Sequence, residues 1–234
     1  MKIEKIISWL DKTLRVSSFD DVSNNGLQVD RFSVPSARQS SNPKSNNQTI
    51  STVAFAVDAS VRAVEAAAKV GAQLLVVHHG ISWGGGIRRI KGGVGNVVRA
   101  AMKANLAICA YHLPLDAHPT LGNNAQLAKY FGLKKVRSAF SYHGNVIGVI
   151  GTNRHGKLIG ICSGGAGEFA EEAKRLGCDL YLTGEASWGD VIAAENCGMK
   201  MICAGHYETE VFGVRALSNA MKKTLKLRTV DLTK

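Results

Sequence analysis

The chain is 234 residues long, 45% hydrophobic and 20% charged, with a formal net charge of +11. That composition supplies enough apolar side chain for one large core or two small ones, and it excludes an intrinsically disordered chain. No apolar run approaches the roughly 20 residues that a spanning helix needs, so a cytoplasmic location with no membrane partner is expected.

The opening segment "MKIEKIISWLDKTL" places Ile3, Ile6, Ile7, Leu10 and Leu14 at helical spacing with charges between them. This predicts an amphipathic helix and not the continuous apolar core of a signal peptide. "NGLQV" follows as an antiparallel edge strand. The segment 31–51, "RFSVPSARQSSNPKSNNQTIS", is rich in Ser and Asn with little that is apolar, and reads as a long mobile hairpin excursion.

From there the chain alternates. "TVAFAVDAS" is a strand turning into a helix, and "VEAAAKVGAQLLVVHHG" (64–80) carries that helix through a Gly into a buried strand. "GNVVRAAMKAN" leads into a second strand at Ile108–Ala110, and "GNNAQLAKYFGL" is a third helix. A second series repeats the first: "KLIGICSGGAG", then "AEEAKRLGCDLYLTGEA" (170–186), "GDVIAAENCG", and "VFGVRALSNAMKKTL". "SYHGNVIGVIG" supplies another antiparallel edge strand. Such alternation predicts an α/β fold with mainly parallel central strands. The halves 1–131 and 132–234 are expected to form two similar α/β lobes from an internal duplication. Parallel sheets bind ligands at their strands' carboxyl ends, so a site in a cleft between the lobes is expected.

The lysines and arginines are dispersed apart from "IRRIKGG" (87–93) and "MKKTLKLR" (221–228), the latter read as the solvated face of a C-terminal helix. The five cysteines are odd in number and lack CxxC spacing, which marks them as structural.

The duplication is sharpest where "ICAYHLPLD" (108–116) recurs as "ICAGHYETE" (202–210). Each copy places an acid four residues after a histidine: Asp116 after His112, and Glu210 after His206. "LLVVHHG" ends another strand with His78 and His79. Successive strand side chains point to opposite sides, so these two imidazoles suit one ion each better than one ion together. Three histidines and two carboxylates at equivalent strand ends would be costly to bury without a cation. The set His78, His79, Asp116, His206 and Glu210 therefore points to a metal site.

The blocks "NNGLQV", "VVHHGISW", "YHLPLDAHPTLGNNAQLA", "SGGAG", "TGEASWGD" and "AGHYETEVFGVRAL" stand in the order of one family's signatures. Over about residues 24–217 the chain resembles the GTP cyclohydrolase I type 2 family, also called the NGG-interacting-factor-like proteins. The resemblance implies two α/β lobes around a dinuclear metal centre, commonly in a toroidal homohexamer. It places the ligands on His78, His79, Asp116, His206 and Glu210, with Glu210 bridging two divalent ions; mixed imidazole and carboxylate donors suit zinc, manganese or iron.

His112 and Glu210 are the candidate catalytic groups. For His112 two readings stand: a partner holding a ligand or a metal-bound water, or a general acid or base. Glu185 is either a cleft-facing acid or a helix-start carboxylate. For the substrate, Ser163, Gly164 and Gly165 form a Gly-rich turn that is either a phosphate cradle or a purely steric turn. Arg88, Arg89 and Lys91 are either a phosphate clamp or a flexible basic loop.

The expected function is a dinuclear metal-dependent hydrolase, activating water against a nucleotide or a related heterocyclic or phosphorylated small molecule. The resemblance narrows this to opening the guanine imidazole ring of GTP with release of formate. The rival is a ring-shaped, metal-stabilised nucleic-acid-binding or regulatory protein, which the charge favours and the absence of a recognised binding motif disfavours.

Overall fold

The computed structural model describes residues 1–31 and 49–233. Residues 32–48, the bulk of the 31–51 excursion, lie outside the described residues. Two compact units form: Met1–His112 with Met221–Lys234, and Leu113–Ala220.

In the first unit, helix α1 (Ile3–Leu14) buries Ile3, Ile6, Leu10 and Leu14 along one stripe and stops where Arg15 turns left-handed. A five-stranded sheet has the order β1-β4-β3-β2-β10, from β1 (Gly26–Val29), β2 (Thr52–Asp58), β3 (Leu74–His79), β4 (Ala107–Ala110) and β10 (Arg228–Asp231). Only β1 runs antiparallel, against β4. The central strands are buried almost throughout because helices cover them, as continuous apolar runs of parallel sheets require. Ala54, Ala56, Leu75, Val77, Ile108 and Ala110 pack on Val64 and Ala67 of α2 (Val61–Lys69) and on Val97 and Ala101 of α3 (Gly92–Ala104). Ser60 caps α2 by accepting from the Ala63 N–H at 3.1 Å.

In the second unit the order is β5-β6-β7-β8-β9. These are β5 (Lys134–Tyr142), β6 (Asn145–Thr152), β7 (Leu158–Gly165), β8 (Leu180–Glu185) and β9 (Met201–Cys203). The last three are parallel and β5–β6–β7 antiparallel. The helices are α4 (Leu113–Asp116), α5 (Asn123–Tyr130), α6 (Ala170–Arg175), α7 (Trp188–Asn196) and α8 (His206–Leu225), the last of which belongs to this unit as far as Ala220. Leu127 and Ala128 of α5 pack against Val149, Ile159, Ile161 and Leu182. The α/β class and the two-lobe arrangement thus follow from the alternation seen in the sequence.

Two readings need correction. "SYHGNVIGVIG" is not an edge strand: its first residues end β5, which holds the edge, and β6 lies inside the sheet. The hairpin turns at His143 and Gly144, both at positive φ, as a tight two-residue connection demands. The exposed charges of "KKVR" conceal β5 in the sequence, and charge on an edge strand deters unwanted pairing. At the other end the basic segment 221–228 is helical only to Leu225. Lys226 turns left-handed at φ 56°, and Arg228 begins β10, parallel to β2.

Cys109, Cys162 and Cys178 are buried, Cys197 is half-buried and Cys203 exposed. Burial pushes the Cys109 and Cys162 thiols well up, suppressing the reactive thiolate. Native protein treated with a disulfide reagent at pH 8 is therefore expected to lose Cys203 first, with Cys109 and Cys162 modified only on unfolding. Mass mapping of the modified peptides checks this, and rapid labelling of Cys162 would contradict it.

Candidate metal centre

In the first unit three imidazoles converge at the sheet's carboxyl end. The parallel register sets Asp58 beside His79, and Asp58 Oδ1 accepts from His79 Nδ1 at 2.9 Å. Just beyond β4, the Tyr111 carbonyl accepts from His78 Nδ1 at 3.0 Å, while the buried Tyr111 hydroxyl donates to Asp11 at 2.9 Å. His112 Nδ1 lies 2.9 Å from Asp21 Oδ1, and the His112 N–H donates to Asn25 Oδ1 at 2.8 Å. Asn25 in turn donates to the second Asp21 oxygen at 2.9 Å.

Every one of these rings thus has Nδ1 fixed on an oxygen, which makes Nε2 the nitrogen it turns to a cation or to a proton. One nitrogen from each of His78, His79 and His112 lies within 4.8 Å of the others. The sequence expectation that neighbouring strand side chains diverge does not hold at this strand end. The His78 and His79 ring centres are 4.6 Å apart, because their Nδ1 anchors on Tyr111 and Asp58 swing the rings together. Burial would raise the Asp21 carboxyl, yet the His112 hydrogen bond and charge, with Asn25 and the Ser23 N–H, hold it below its ordinary value.

In the second unit Asp116 closes α4 and is 7% exposed. Its Oδ1 accepts from Asn123 Nδ2 at 2.8 Å and from Ser163 Oγ at 3.0 Å. His206 opens α8 and Glu210 follows one turn later, four residues on and hence on the same face. His206 lies between two carboxylates, with Nδ1 at 3.0 Å from Glu185 Oε1 and Nε2 at 3.1 Å from Glu210 Oε1. The Glu210 hydrogen bond outweighs partial burial and, with Glu185, raises the imidazole to about 9.

Gly164 completes the arrangement at φ +70°. A Cβ there would stand 2.5 Å from Glu210 Oε1 and 3.3 Å from His206 Nε2. Only glycine leaves that space open. Within this unit an imidazole between two carboxylates, the buried Glu210 and a cradle that a methyl group would fill suit a divalent cation of the zinc, manganese or iron type.

The remaining sequence candidates fall into place differently. Glu185 ends β8 and accepts from His206, so it positions that ring and is not a helix-start acid. The turn at Ser163, Gly164 and Gly165 is no bare phosphate nest. The N–H groups of Ser163, Gly164 and Ala166 donate to Asn124 Oδ1, Thr209 Oγ1 and Thr183 Oγ1 at 2.7, 3.0 and 3.2 Å. Through the Ser163 hydroxyl the turn braces Asp116 instead. Arg88, Arg89 and Lys91 are exposed on the loop between β3 and α3. Sequence reasoning missed Asp21, Asn25, Asp58, Asn123 and Thr209. Asp58 had a usable signal, as an acid ending the strand beside the histidine pair.

A family model described as Duf34/NIF3 (NGG1p interacting factor 3) matches residues 1–156 and 143–233. The GTP cyclohydrolase 1 type 2 homolog of Pyrococcus horikoshii is 35% identical, over 98% of this chain and 97% of that protein. The homolog of the same name from Deinococcus radiodurans is 36% identical, over 92% and 86%. Among solved structures, protein ybgI, of unknown function, superposes with a TM-score of 0.80 at 26% identity, covering 99% of this chain and 98% of that one. Reduced HcgD from Methanocaldococcus jannaschii shares the fold, with a TM-score of 0.79 at 22% identity over 99% and 98%.

Proposed function

Because this chain belongs to the Duf34/NIF3 (NGG1p interacting factor 3) family, we propose that it is a metal-dependent hydrolase with a dinuclear centre. Its ligands in this reading are His78, His79, Asp116, His206 and Glu210, and a nucleotide such as GTP is its substrate. The observation that carries the reading is the anchoring of His79, His112 and His206 by Asp58, Asp21 and Glu185, each at 2.9–3.0 Å from Nδ1. Histidines that only fill a core have no need of a carboxylate each. The names of the curated relatives supply GTP as the specific candidate.

Two divalent ions would supply Lewis-acid activation of water and of the electrophilic carbon or phosphorus. The protein's own part is proton handling and orientation. Asp21 fixes His112 as the Nδ1–H tautomer, leaving Nε2 to take a proton from the attacking water and return it to the leaving group. Asp116 and Glu210 hold negative charge against the cations. In this reading Arg88, Arg89 and Lys91, exposed on the loop before α3, are the cations that meet a phosphate chain. Assembly into a toroidal homohexamer belongs to the same reading, and sedimentation of the purified protein tests it.

The deciding experiment reconstitutes the protein with zinc, manganese or iron and assays formate release from GTP beside a panel of nucleotides, phosphoesters and cyclic amides. A protein carrying its full metal complement that hydrolyses none of them overturns the proposal. The net charge of +11 keeps a polyanion-binding reading in view. Such binding collapses with salt and survives Glu210→Gln, and hydrolysis does the reverse on both counts. Asp21→Asn is expected to cut turnover by about 10- to 100-fold while bound metal stays constant. Wild-type turnover in that variant would remove His112 from proton transfer.

A further inference from the structure

The duplication repeats more than metal donors. "ISWGG" (81–85) and "ASWGD" (186–190) place Trp83 four residues beyond His79 and Trp188 three beyond Glu185. Both indoles are left in water, Trp83 at 37% exposure and Trp188 at 77%. Aromatic side chains carry large apolar surfaces, and one left partly bare in the same place in each repeat calls for a reason.

Trp83 is exposed but not loose. Its Nε1–H donates to the Gly80 carbonyl at 3.0 Å, and its backbone bridges to Ser23. The ring centre stands 5.1 Å from that of His112, nearly edge-on at 76°, and 6.1 Å from that of His79. Two uses compete for such a ring. It could wedge the two histidines, but these are already fixed through Nδ1 by Asp21 and Asp58. The other use is to offer an aromatic surface to a ligand beside the imidazoles, for which a held ring is pre-organised.

We propose that Trp83 is a specificity-determining residue that stacks on a planar heterocyclic ring of the substrate. This rests on the hydrolase reading and adds what that reading lacks, a contact for the ring as opposed to the phosphates. Stacking accepts any flat π-system, so the residue selects heterocycles as a class over aliphatic phosphoesters.

The test uses metal-loaded full-length protein with guanosine and inorganic tripolyphosphate as probes. In a W9F/W188F variant Trp83 is the remaining indole, and its fluorescence is expected to be quenched saturably by guanosine and not by tripolyphosphate. In the otherwise wild-type chain, W83L should weaken guanosine binding about tenfold or more. W83F should restore most of it, with tripolyphosphate affinity and metal content unchanged throughout. Guanosine binding W83L as tightly as wild type, or failing to bind the metal-loaded wild type, overturns the inference. Loss of metal from W83L also overturns it, by showing that the ring acts through the histidines. Failure of the underlying hydrolase reading is distinguishable: the metal-loaded wild type would bind guanosine through Trp83 as expected yet release no formate from GTP and hydrolyse nothing else on the panel.

Discussion

Glu210→Gln is expected to cost the protein at least one bound divalent ion while leaving its circular dichroism unchanged. The carboxylate is 3% exposed and its Oε1 stands 3.1 Å from His206 Nε2. An amide of the same shape packs equally well but brings no charge to a cation. Gly164→Ala should reach the same end by a different route. Its methyl would enter the space 2.5 Å from Glu210 Oε1, and alanine at φ +70° adds strain of about 1–2 kcal/mol. Elemental analysis after dialysis reads both variants, and full occupancy in both would refute the ligand assignment.

Protons compete with metal at the same place. His206 titrates near 9, so at neutral pH the metal-free ring is charged and an incoming cation must displace its proton. Apparent metal affinity is expected to fall as pH is lowered below about 9, by about tenfold per unit while one proton is exchanged. The sign for the metal-free fold is opposite. A folded pKa raised above the ordinary 6.5 gives stability that is complete below about 6.5 and is lost as pH rises through about 9. Metal-free protein that gained stability over that interval would contradict the assignment.

Asn123→Ala should be the most damaging single change outside the ligands. Asn123 is fully buried and serves two masters: Nδ2 donates to Asp116 Oδ1 at 2.8 Å, and Oδ1 accepts the Gly213 N–H at 2.7 Å. Gly213 permits this approach, since a Cβ there would lie 2.6 Å from Asn123 Oδ1. Alanine strands a buried amide and withdraws a donor from a buried carboxylate. At about 1–3 kcal/mol for each stranded group, a loss of about 3–4 kcal/mol is expected. Urea unfolding monitored by circular dichroism measures it, and a loss below about 1 kcal/mol would mean that water replaces both bonds.

The alternation of strands and helices was legible because parallel strands buried on both faces must be continuous apolar runs, as "TVAFAV" and "LLVV" are. The candidate acids and His206 were legible because duplication printed the His-x-x-x-acid pattern twice. What the sequence concealed is tertiary. Nothing local marks Asp21 as the acid that holds His112, 91 residues away. Ser163 looked like part of a phosphate turn because glycine-rich turns are ambiguous until the destinations of their N–H groups are known. β5 escaped notice because an edge strand can be charged, and β10 because four residues after a long basic helix show no period of their own.

The pairing of β10 with β2 has a consequence for how the protein is made. The second unit is one unbroken stretch, Leu113–Ala220, whereas the first needs residues 228–231 to complete its sheet. In synthesis the whole of the second unit is therefore added before the first sheet can be completed. Until the tail arrives, β2 presents an open flank of unpaired peptide groups to its surroundings, and a nascent chain stalled before residue 228 would be the form most prone to aggregate.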